Sequence, residues 1–389
     1  MPVNNRIAES QPEIAAWRRH LHANPELLYD VADTAAFVAD KLRAFGCDEV
    51  ATGIGRTGVV ALIHGRGGPG GPMVGLRADM DALPIVEETG LDYASVRPGA
   101  MHACGHDGHS AMLLGAARSL AESRAFDGTV ALIFQPAEEG GAGAKAMMDD
   151  GLFERWPIGR VYGMHNLPGM PVGRFGVRAG PVMASTDEFA ITVRGRGGHA
   201  ALPHRTIDPI PVAAALVQSL QTIAGRNADP LRSLVVSVTQ VHAGFAHNVI
   251  PDTATISGTV RSLDLAMRDL AEERLRGIAA GICAAHGATA EIDVDRNYPI
   301  TINDAAEAAF CAEVAAEIVG PASVDRDVAP MMAGEDFSYM LEERPGAYIF
   351  IGNGDSATLH SPTYDFSDEA IAFGSSFWLR LAERALSRS

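Results

Sequence analysis

Short apolar runs alternate with amphipathic stretches through the first half of the chain, and this alternation most constrains its fold. The apolar runs have the length of buried strands, and the intervening stretches have helical spacing. We predict strands at 58–63, 74–78, 129–134 and 161–164, and helices at 7–21, 34–45, 110–121 and 142–150. This order is typical of an α/β domain with a mostly parallel central sheet.

The chain has 389 residues, enough for two domains, and its pattern changes from about residue 184. We predict strands at 187–194, 233–242, 254–262 and 289–295, and helices at 208–225 and 265–286. The order βαββαβ indicates an inserted ferredoxin-like domain over 184–296. The first domain would then comprise 1–183 and 297–389, with helices at 303–319 and 335–343, a strand at 347–351 and a last helix from 367.

Composition narrows the class of protein. The formal charge of −17 argues against nucleic acid or an anionic membrane as a partner. The four cysteines are scattered without a C-x-x-C pair, which favours a reducing compartment. The first twenty residues lack the apolar core of a signal peptide, and no apolar run is long enough to span a membrane. We therefore expect a cytoplasmic protein.

The stretch 101–109, MHACGHDGH, holds three histidines, a cysteine and an aspartate. Cys104 and His106 are two residues apart, so in an extended backbone their side chains would leave from the same face. A thiolate beside an imidazole is a good pair of ligands for a divalent transition metal. The alternative is a histidine-rich turn with a buried, inert cysteine, and further ligands elsewhere would decide against it.

Polar residues follow the predicted strands where α/β sheets place their sites, at the carboxyl ends. Asp79 and Asp81 follow 74–78, although Asp79 could equally cap a turn. Glu138 and Glu139 follow 129–134, and His165 follows 161–164. His360 lies in a later loop between the last strand and the last helix.

Glu138 and Glu139 are adjacent carboxylates that repel each other, so the pair makes sense if a cation binds one of them. The other could then take a proton from water, whereas the alternative is a solvated charge pair in a loop. Together with Cys104, His106, His165 and His360, one of these glutamates makes five candidate ligands. Five ligands exceed a single tetrahedral zinc site, so two metals with a bridging group fit better. Two metals roughly 3.5–4 Å apart can activate a water and polarise a carbonyl, which predicts amide hydrolysis.

Several longer segments resemble the M20 metallopeptidase family, and within it the amidohydrolase branch of hippurate hydrolases, N-acyl-amino-acid amidohydrolases and auxin-conjugate hydrolases. The segments are GLRADMDALPI, MHACGHDGHSAMLLGAA, FQPAEEGGAGAKAMMDDG, GMHNLP, GRGGHAALPH, HNVIPDTATISGTVRS and GEDFSYML. The resemblance covers nearly the whole chain. It implies a metal-dependent exopeptidase-like catalytic domain and an inserted lid and dimerisation domain.

The resemblance also assigns roles that spacing alone leaves open. It implies that Glu138 is the general base and acid, and that His199 stabilises the tetrahedral intermediate, commonly across a dimer interface. It implies that Asn248 and Arg261 contact the substrate carboxylate and that Asp81 orients a ligand histidine. The implied metal ligands are Cys104, His106, Glu139, His165 and His360.

Other residues receive weaker interpretations. Asp79 and Glu335 are candidates for similar support of the ligands. Four histidines are interpreted as structural or rim residues, namely His102, His109, His204 and His247. One departure from the family pattern is Leu28, which follows Pro-Glu-Leu where the family usually has glycine.

The resemblance implies hydrolysis of N-acyl or N-aroyl amino acids by a homodimer, or a dimer-based oligomer, that forms through the inserted domain. It implies two divalent metal ions per subunit, and Mn, Zn, Co or Ni would suit the mixed ligands. One alternative is an N-acetyl-diaminopimelate-type deacetylase or a small-peptide dipeptidase of the same fold. Another is a non-catalytic, metal-bound ligand receptor, which should have lost the base or a ligand. No such loss is visible in the sequence.

Overall fold

The structure, a computed structural model, describes residues 3–387. Contacts between Cα atoms divide the chain into two compact units. Unit 1 comprises Met1–Gly180, Ile302–Ala329 and Asp336–Ser389, and unit 2 comprises Pro181–Thr301 and Pro330–Glu335. Unit 2 includes the whole predicted insertion of 184–296, and it also takes in 330–335, which the sequence pattern did not indicate.

Within residues 3–387 the chain forms ten α-helices and sixteen strands, numbered here in chain order. The helices α1 to α10 are Asn5–Ala23, Ala32–Ala44, His106–Ser123, Gly143–Asp149, Leu152–Arg155, Pro209–Leu220, Leu265–Ala285, Ala305–Val319, Ser338–Glu343 and Ala370–Ala385. The strands β1 to β16 are Glu49–Ile54, Gly58–His64, Met73–Asp79, Thr129–Gln135, Arg160–Leu167, Phe175–Gly176, Gly180–Met183, Ser185–Arg194, Gly198–His199, Leu234–Ala243, Val249–Ile250, Thr253–Ser262, Thr289–Arg296, Thr301–Asn303, Val324–Asp325 and Gly346–Gly352.

The main sheet of unit 1 has the strand order β1-β2-β4-β3-β5-β16-β6-β15. Its four central strands, β4, β3, β5 and β16, run parallel, whereas β1 and β2 pair antiparallel at one side. The predicted α/β class with a mostly parallel central sheet is therefore confirmed. Because the central strands are parallel, their carboxyl ends lie along one edge of the sheet.

Helix α3 is buried over almost its whole length and packs against α1 and α10. The absence of a side chain at Gly115 permits this packing, because a Cβ there would lie 2.6 Å from Ser375 Oγ and 2.8 Å from Ile14. The Ala-rich sequence of α3 suits such close contact between helices. The helix is therefore fixed in the core, and so is its first residue, His106.

Unit 2 contains a four-stranded antiparallel sheet in the order β10-β12-β8-β13. Strand β8 buries alternate residues, Phe189, Ile191 and Val193, and helices α6 and α7 contribute to the same apolar cluster. This order is that of the ferredoxin-like βαββαβ unit, as predicted. One face of the sheet therefore carries the core of unit 2.

Two local features differ from the sequence interpretation or refine it. The backbone from Cys104 to His106 is not extended: Gly105 adopts a left-handed conformation with φ 92°, and His106 begins α3. Leu28 also adopts a left-handed conformation, with φ 49°, and its carbonyl accepts a hydrogen bond from the Ala137 N–H. Glycine suits such a conformation without strain, which explains its usual place after Pro-Glu-Leu.

Candidate metal centre

Adjacent parallel strands of unit 1 position the predicted ligands. Glu138 and Glu139 follow β4, His165 lies near the end of β5, and His360 lies in the loop after β16. Cys104 and His106 meet them at the start of α3. Ligand atoms lie within 4.8 Å of one another in three groups: Cys104, His106 and His165; Cys104, Glu139 and His360; and His106, Glu138 and Glu139. The fold thus brings together all five predicted ligands and the predicted base.

Cys104 and His165 form a buried contact within this cluster, with Sγ and Nε2 3.3 Å apart. The Nδ1–H of His165 donates to the backbone carbonyl of Asn166 at 2.7 Å, which directs the Nε2 lone pair toward the sulfur. Burial, followed by the nearby His109, holds the pKa of His165 well below its usual range. His165 is therefore neutral, as a metal ligand must be.

His106 and Glu139 present buried atoms without hydrogen bonds among the described residues. The Nδ1–H of His106 donates to the carbonyl of Asp81 at 2.9 Å, whereas its Nε2 forms no hydrogen bond. Glu139 Oε1 also forms none and lies 4.0 Å from that Nε2 and 3.4 Å from His360 Nε2. Buried polar atoms are normally paired, so both atoms indicate a missing partner.

The charge balance of the cluster favours a cation as that partner. Burial acts to lower the pKa of His106, but Asp79 and other carboxylates outweigh it and raise the pKa to about 10. Burial, followed by the negative charge of Glu139, raises the pKa of Cys104 well above its usual value. A divalent cation would replace these protons as the source of positive charge. Thiolate, imidazole and carboxylate donors fit such a cation well.

Asp81 fixes the loop that carries the two glutamates. Its carboxylate accepts hydrogen bonds from the backbone N–H of Glu138 at 2.9 Å and of Glu139 at 3.1 Å. Asp81 also contacts His106, a predicted ligand: the hydrogen bond from His106 Nδ1 goes to the backbone carbonyl of Asp81, and the carboxylate lies 3.6 Å from that nitrogen. Asp81 therefore orients both glutamates and His106 at once.

The loops around the cluster hold their residues in unusual backbone conformations. Ala137, directly before the glutamates, has φ 53°, and His360 has φ 64°. The backbone N–H of His360 donates to the carbonyl of Ala103 at 2.8 Å, which ties this loop to the Cys104 segment. Strained backbone of this kind concentrates at functional sites. The His360 side chain is 53% exposed and marks the solvent side of the cluster.

Two of the predicted residues of unit 2, His199 and Asn248, lie beside each other. His199 lies on β9, which pairs with β11, and the carbonyl of Asn248 accepts a hydrogen bond from Ala200. The backbone N–H of Ala201 donates to His199 Nδ1 at 3.1 Å. In the neutral imidazole the proton is therefore on Nε2, where it is available to donate. Both side chains are exposed.

Arg261 lies on β12, where it is opposite Val235 on β10 and Thr186 on β8. Its guanidinium forms no hydrogen bond or ion pair with another described residue of the chain. Partial burial lowers its pKa, although Asp187 and Glu188 act in the opposite direction. The guanidinium is therefore a cation in need of an anion.

The sequence interpretation missed the residues that surround the ligands. His109 was interpreted as a structural or rim residue; it is buried and donates from Nδ1 to Asp79 at 2.6 Å, which agrees with a structural role beside the predicted ligands. Asn166 and Tyr364 are buried beside it. Their only signal was position: Asn166 follows a predicted ligand, and Tyr364 closes the segment after His360.

The other residues singled out in the sequence are either buried or exposed. His102 is buried, and neither of its ring nitrogens is hydrogen-bonded to a described residue; burial lowers its pKa to about 3. Glu335 belongs to unit 2 and is also buried. His204 and His247 are exposed.

Comparison with known proteins agrees with this geometry. The model of peptidase family M20/M25/M40 matches residues 75–384. The chain belongs to this family. Over 380 residues it is 44% identical to the hippurate hydrolase of Campylobacter jejuni, with 98% of each chain covered. It is 41% identical to the N-acetyl-L-cysteine deacetylase of Bacillus subtilis, covering 99% of this chain and 90% of the relative.

A solved structure extends the comparison to the fold of this M20 protein. The YXEP protein of Bacillus subtilis, described as a dinuclear metal-binding peptidase of the M20 family, matches with a TM-score of 0.85 and 36% identity, covering 97% of this chain and 99% of that one. The predicted family is confirmed, and with it a metal-dependent hydrolase that acts on amide bonds. Among the described residues no helix is long and apolar enough to cross a membrane.

Proposed function

We propose that this M20 protein hydrolyses the amide bond of N-acyl and N-aroyl amino acids to a carboxylic acid and a free amino acid. The observation that carries this proposal is the buried cluster of sulfur, nitrogen and oxygen ligands beside Glu138. The names of two relatives, a hippurate hydrolase and an N-acetyl-L-cysteine deacetylase, support the same substrate class.

We assign two divalent metal ions, from among Mn, Zn, Co and Ni, to each subunit. Five protein ligands exceed the need of one tetrahedral ion, which supports a pair with a shared group. When bound, such ions supply Lewis acidity that polarises a carbonyl and lowers the pKa of water. The ligands would be Cys104, His106, Glu139, His165 and His360.

Glu138 would move the proton during hydrolysis. Its carboxylate takes one proton as the oxygen of water bonds to the amide carbon. It then delivers this proton to the nitrogen as the carbon–nitrogen bond breaks, so the products are an acid and an amine. General base and acid action of this kind contributes about 10²–10⁴ in rate. The hydrogen bond between the Glu138 N–H and Asp81 fixes the backbone that carries this carboxylate.

The residues of unit 2 would recognise the substrate. The Nε2–H of His199 suits a developing oxyanion, since Nδ1 is already occupied by the Ala201 N–H. Arg261 offers the planar donor pair that captures a carboxylate, and Asn248 would add a further contact. A substrate with a free carboxylate next to its amide nitrogen matches this set.

We further propose that unit 2 acts as the lid and dimerisation domain, so that His199 serves the partner subunit. Strand β10 is an edge of its sheet, and Val241 and Phe245 along and after it are 52% and 82% exposed. A long apolar edge strand is a template for pairing with another chain.

We also propose a cytoplasmic location. The four cysteines are free, which supports the cytoplasm as the location.

The two neighbouring glutamates provide the decisive test. Glu138→Gln should retain the metal content of the wild type, whereas its kcat should fall by about 10²–10⁴. Glu139→Gln, the matched variant, should instead lose metal affinity. Metal analysis and hippurate hydrolysis are measured on both. Normal turnover by Glu138→Gln would show that the proposed mechanism is wrong.

A substrate panel separates the proposed activity from its alternatives. Rates on hippurate, on N-acetyl amino acids including N-acetyl-diaminopimelate, and on a dipeptide would rank the acyl groups. Fastest turnover of the dipeptide would favour a peptidase. Bound metal without hydrolysis of any member would favour a ligand receptor.

A further inference from the structure

Asn166 is a buried residue whose polar groups all have partners within the metal centre. Its side-chain amide donates to the carbonyl of Cys104 at 2.7 Å and lies 3.1 Å from His109 Nε2. Its backbone N–H donates to the same Nε2, and its carbonyl accepts from His165 Nδ1. The Tyr364 hydroxyl donates to the remaining amide oxygen at 2.6 Å. Asn166 thus bonds directly to two of the five proposed ligands.

The Asn166–Tyr364 pair also lies against the turn that joins Cys104 to His106. A Cβ at Gly105 would be 2.2 Å from Asn166 Nδ2 and 2.6 Å from the Tyr364 hydroxyl oxygen. With its φ of 92°, Gly105 is therefore required both by the backbone conformation and by the lack of space. This contact fixes the direction in which the turn presents both ligands.

A chain of buried hydrogen bonds leads from Asn166 through His109 to Asp79 and Arg77. His109 accepts at Nε2 from the Asn166 N–H, which leaves its proton on Nδ1, and that proton is donated to Asp79 at 2.6 Å. Asp79 in turn accepts from Arg77 at 2.6 Å. All four residues are buried. The position of the Asn166 amide is thus determined by a network anchored on β3.

We propose that Asn166 is a positioning residue for metal binding: its side-chain amide, held by Tyr364 and His109, fixes Cys104, and its backbone carbonyl fixes His165. This inference rests on the proposed metal centre. The amide needs two donor hydrogens, one for the Cys104 carbonyl and one for His109, and one acceptor for Tyr364. No other side chain of this size supplies two donors and an acceptor in one plane.

Asn166→Asp provides the first test because it preserves shape and removes both donors. Loss of such an outer hydrogen bond typically weakens metal binding by about 10–100-fold. We expect a loss of this size for cobalt(II), measured by competition with a chelator. We also expect a weaker or shifted thiolate-to-cobalt absorption band, since the carboxylate would repel the Cys104 carbonyl. Thermal unfolding of the metal-free protein reports any general damage.

A second pair of variants keeps the test valid if Asn166→Asp does not fold. Tyr364→Phe removes the one hydroxyl that bonds the amide oxygen, and its cobalt(II) affinity should fall several-fold. Tyr162→Phe is the matched control, because that buried hydroxyl bonds Glu307 outside the metal centre. Its cobalt(II) affinity and absorption band should equal those of the wild type.

The outcomes separate this inference from the proposed function. If the wild type binds cobalt(II) and both variants match its affinity and spectrum, the positioning role is wrong and the proposed metal centre stands. The same conclusion follows if Tyr162→Phe weakens binding as much as Tyr364→Phe. If the wild type binds no cobalt(II), the metal centre and the positioning role both fail.

Discussion

The candidate residues of the two units differ in how their side chains are held. In unit 1 the proposed ligands are mostly buried, and outer partners such as Asp81 and Asn166 fix their orientation. In unit 2 His199 and Asn248 are exposed, and the Arg261 guanidinium is unpaired among the described residues. The folded chain thus supplies hydrogen-bond partners to the candidate residues of unit 1, whereas those of unit 2 are left open to other molecules.

This difference follows from the chemistry of the two tasks. Metal ligands must be aimed before the ion arrives and lose their protons when it binds, so a rigid, buried arrangement suits them. Groups that recognise an anionic substrate must remain open until it binds, and their unsatisfied donors then supply the affinity. We therefore expect substitutions of the proposed ligands and of their outer partners in unit 1 to affect metal content, and substitutions of His199 or Arg261 in unit 2 to affect only the kinetics of hydrolysis.

The largest effect expected in unit 2 is that of His199→Ala. Removal of one oxyanion donor costs about 10²–10³ in kcat, so hydrolysis of hippurate should fall by that factor. Metal content should be unchanged. His204→Ala, an exposed histidine on the neighbouring segment, is the matched control and should retain the wild-type kcat. A loss of metal from His199→Ala would contradict the separation of the two units.

Mixing of subunits sharpens this prediction. If His199 acts across a dimer, a heterodimer of Glu138→Gln and His199→Ala contains one intact site, so random mixing restores about a quarter of the sites. If His199 acts within its own subunit, mixing restores none. Recovery of activity is measured after the two inactive proteins are mixed and allowed to exchange subunits.

A second prediction concerns the stability of unit 1. Burial alone would lower the pKa of His22, but hydrogen bonds to Asp107 at 2.9 Å and Glu87 at 3.2 Å outweigh it and raise the pKa to about 9. The protonated form thus stabilises the fold fully below about pH 6.5, the ordinary histidine value. This stabilisation, about 3 kcal/mol at most, should be lost as the pH rises through 9.

Denaturant unfolding at pH 6.5 and pH 9.5 checks this prediction. The wild type should lose more stability over this interval than His22→Asn, because the variant lacks the titrating group. His242→Asn replaces an exposed histidine of unit 2 and should follow the wild type. If the wild type and His22→Asn lose the same free energy of unfolding between pH 6.5 and pH 9.5, His22 is not the cause of the loss.

The sequence predicted much of this fold because hydrophobic periodicity depends on local residues. The apolar runs that became β2, β3, β4 and β5 were visible, and so was the βαββαβ order of unit 2. Chemistry also gave a strong signal, since Cys104, His106 and the adjacent glutamates are unusual at strand and helix ends. The resemblance then ordered Glu138 and Glu139, which spacing could not.

Contacts between distant segments were not predictable in this way. Asn166 and Tyr364 are 198 residues apart, and nothing local in either segment indicates their hydrogen bond. His109 was noticed as a histidine, but its buried bond to Asp79 depends on how α3 packs on β3. The extended backbone expected at Cys104 failed because Gly105 permits a left-handed turn. Long-range packing thus decided the first two features, and the conformational freedom of a glycine decided the third.

The smallest expected effect is that of Arg261→Lys, which preserves the charge but not the planar donor pair. Because the substrate carboxylate would be bound equally in ground and transition states, KM for hippurate should rise about tenfold with little change in kcat. Arg194→Lys, on the exposed pair with Glu291, is the control and should change neither. Hippuramide, which lacks the carboxylate, should show the same KM with Arg261→Lys as with the wild type. A fall in kcat alone would place Arg261 outside carboxylate binding.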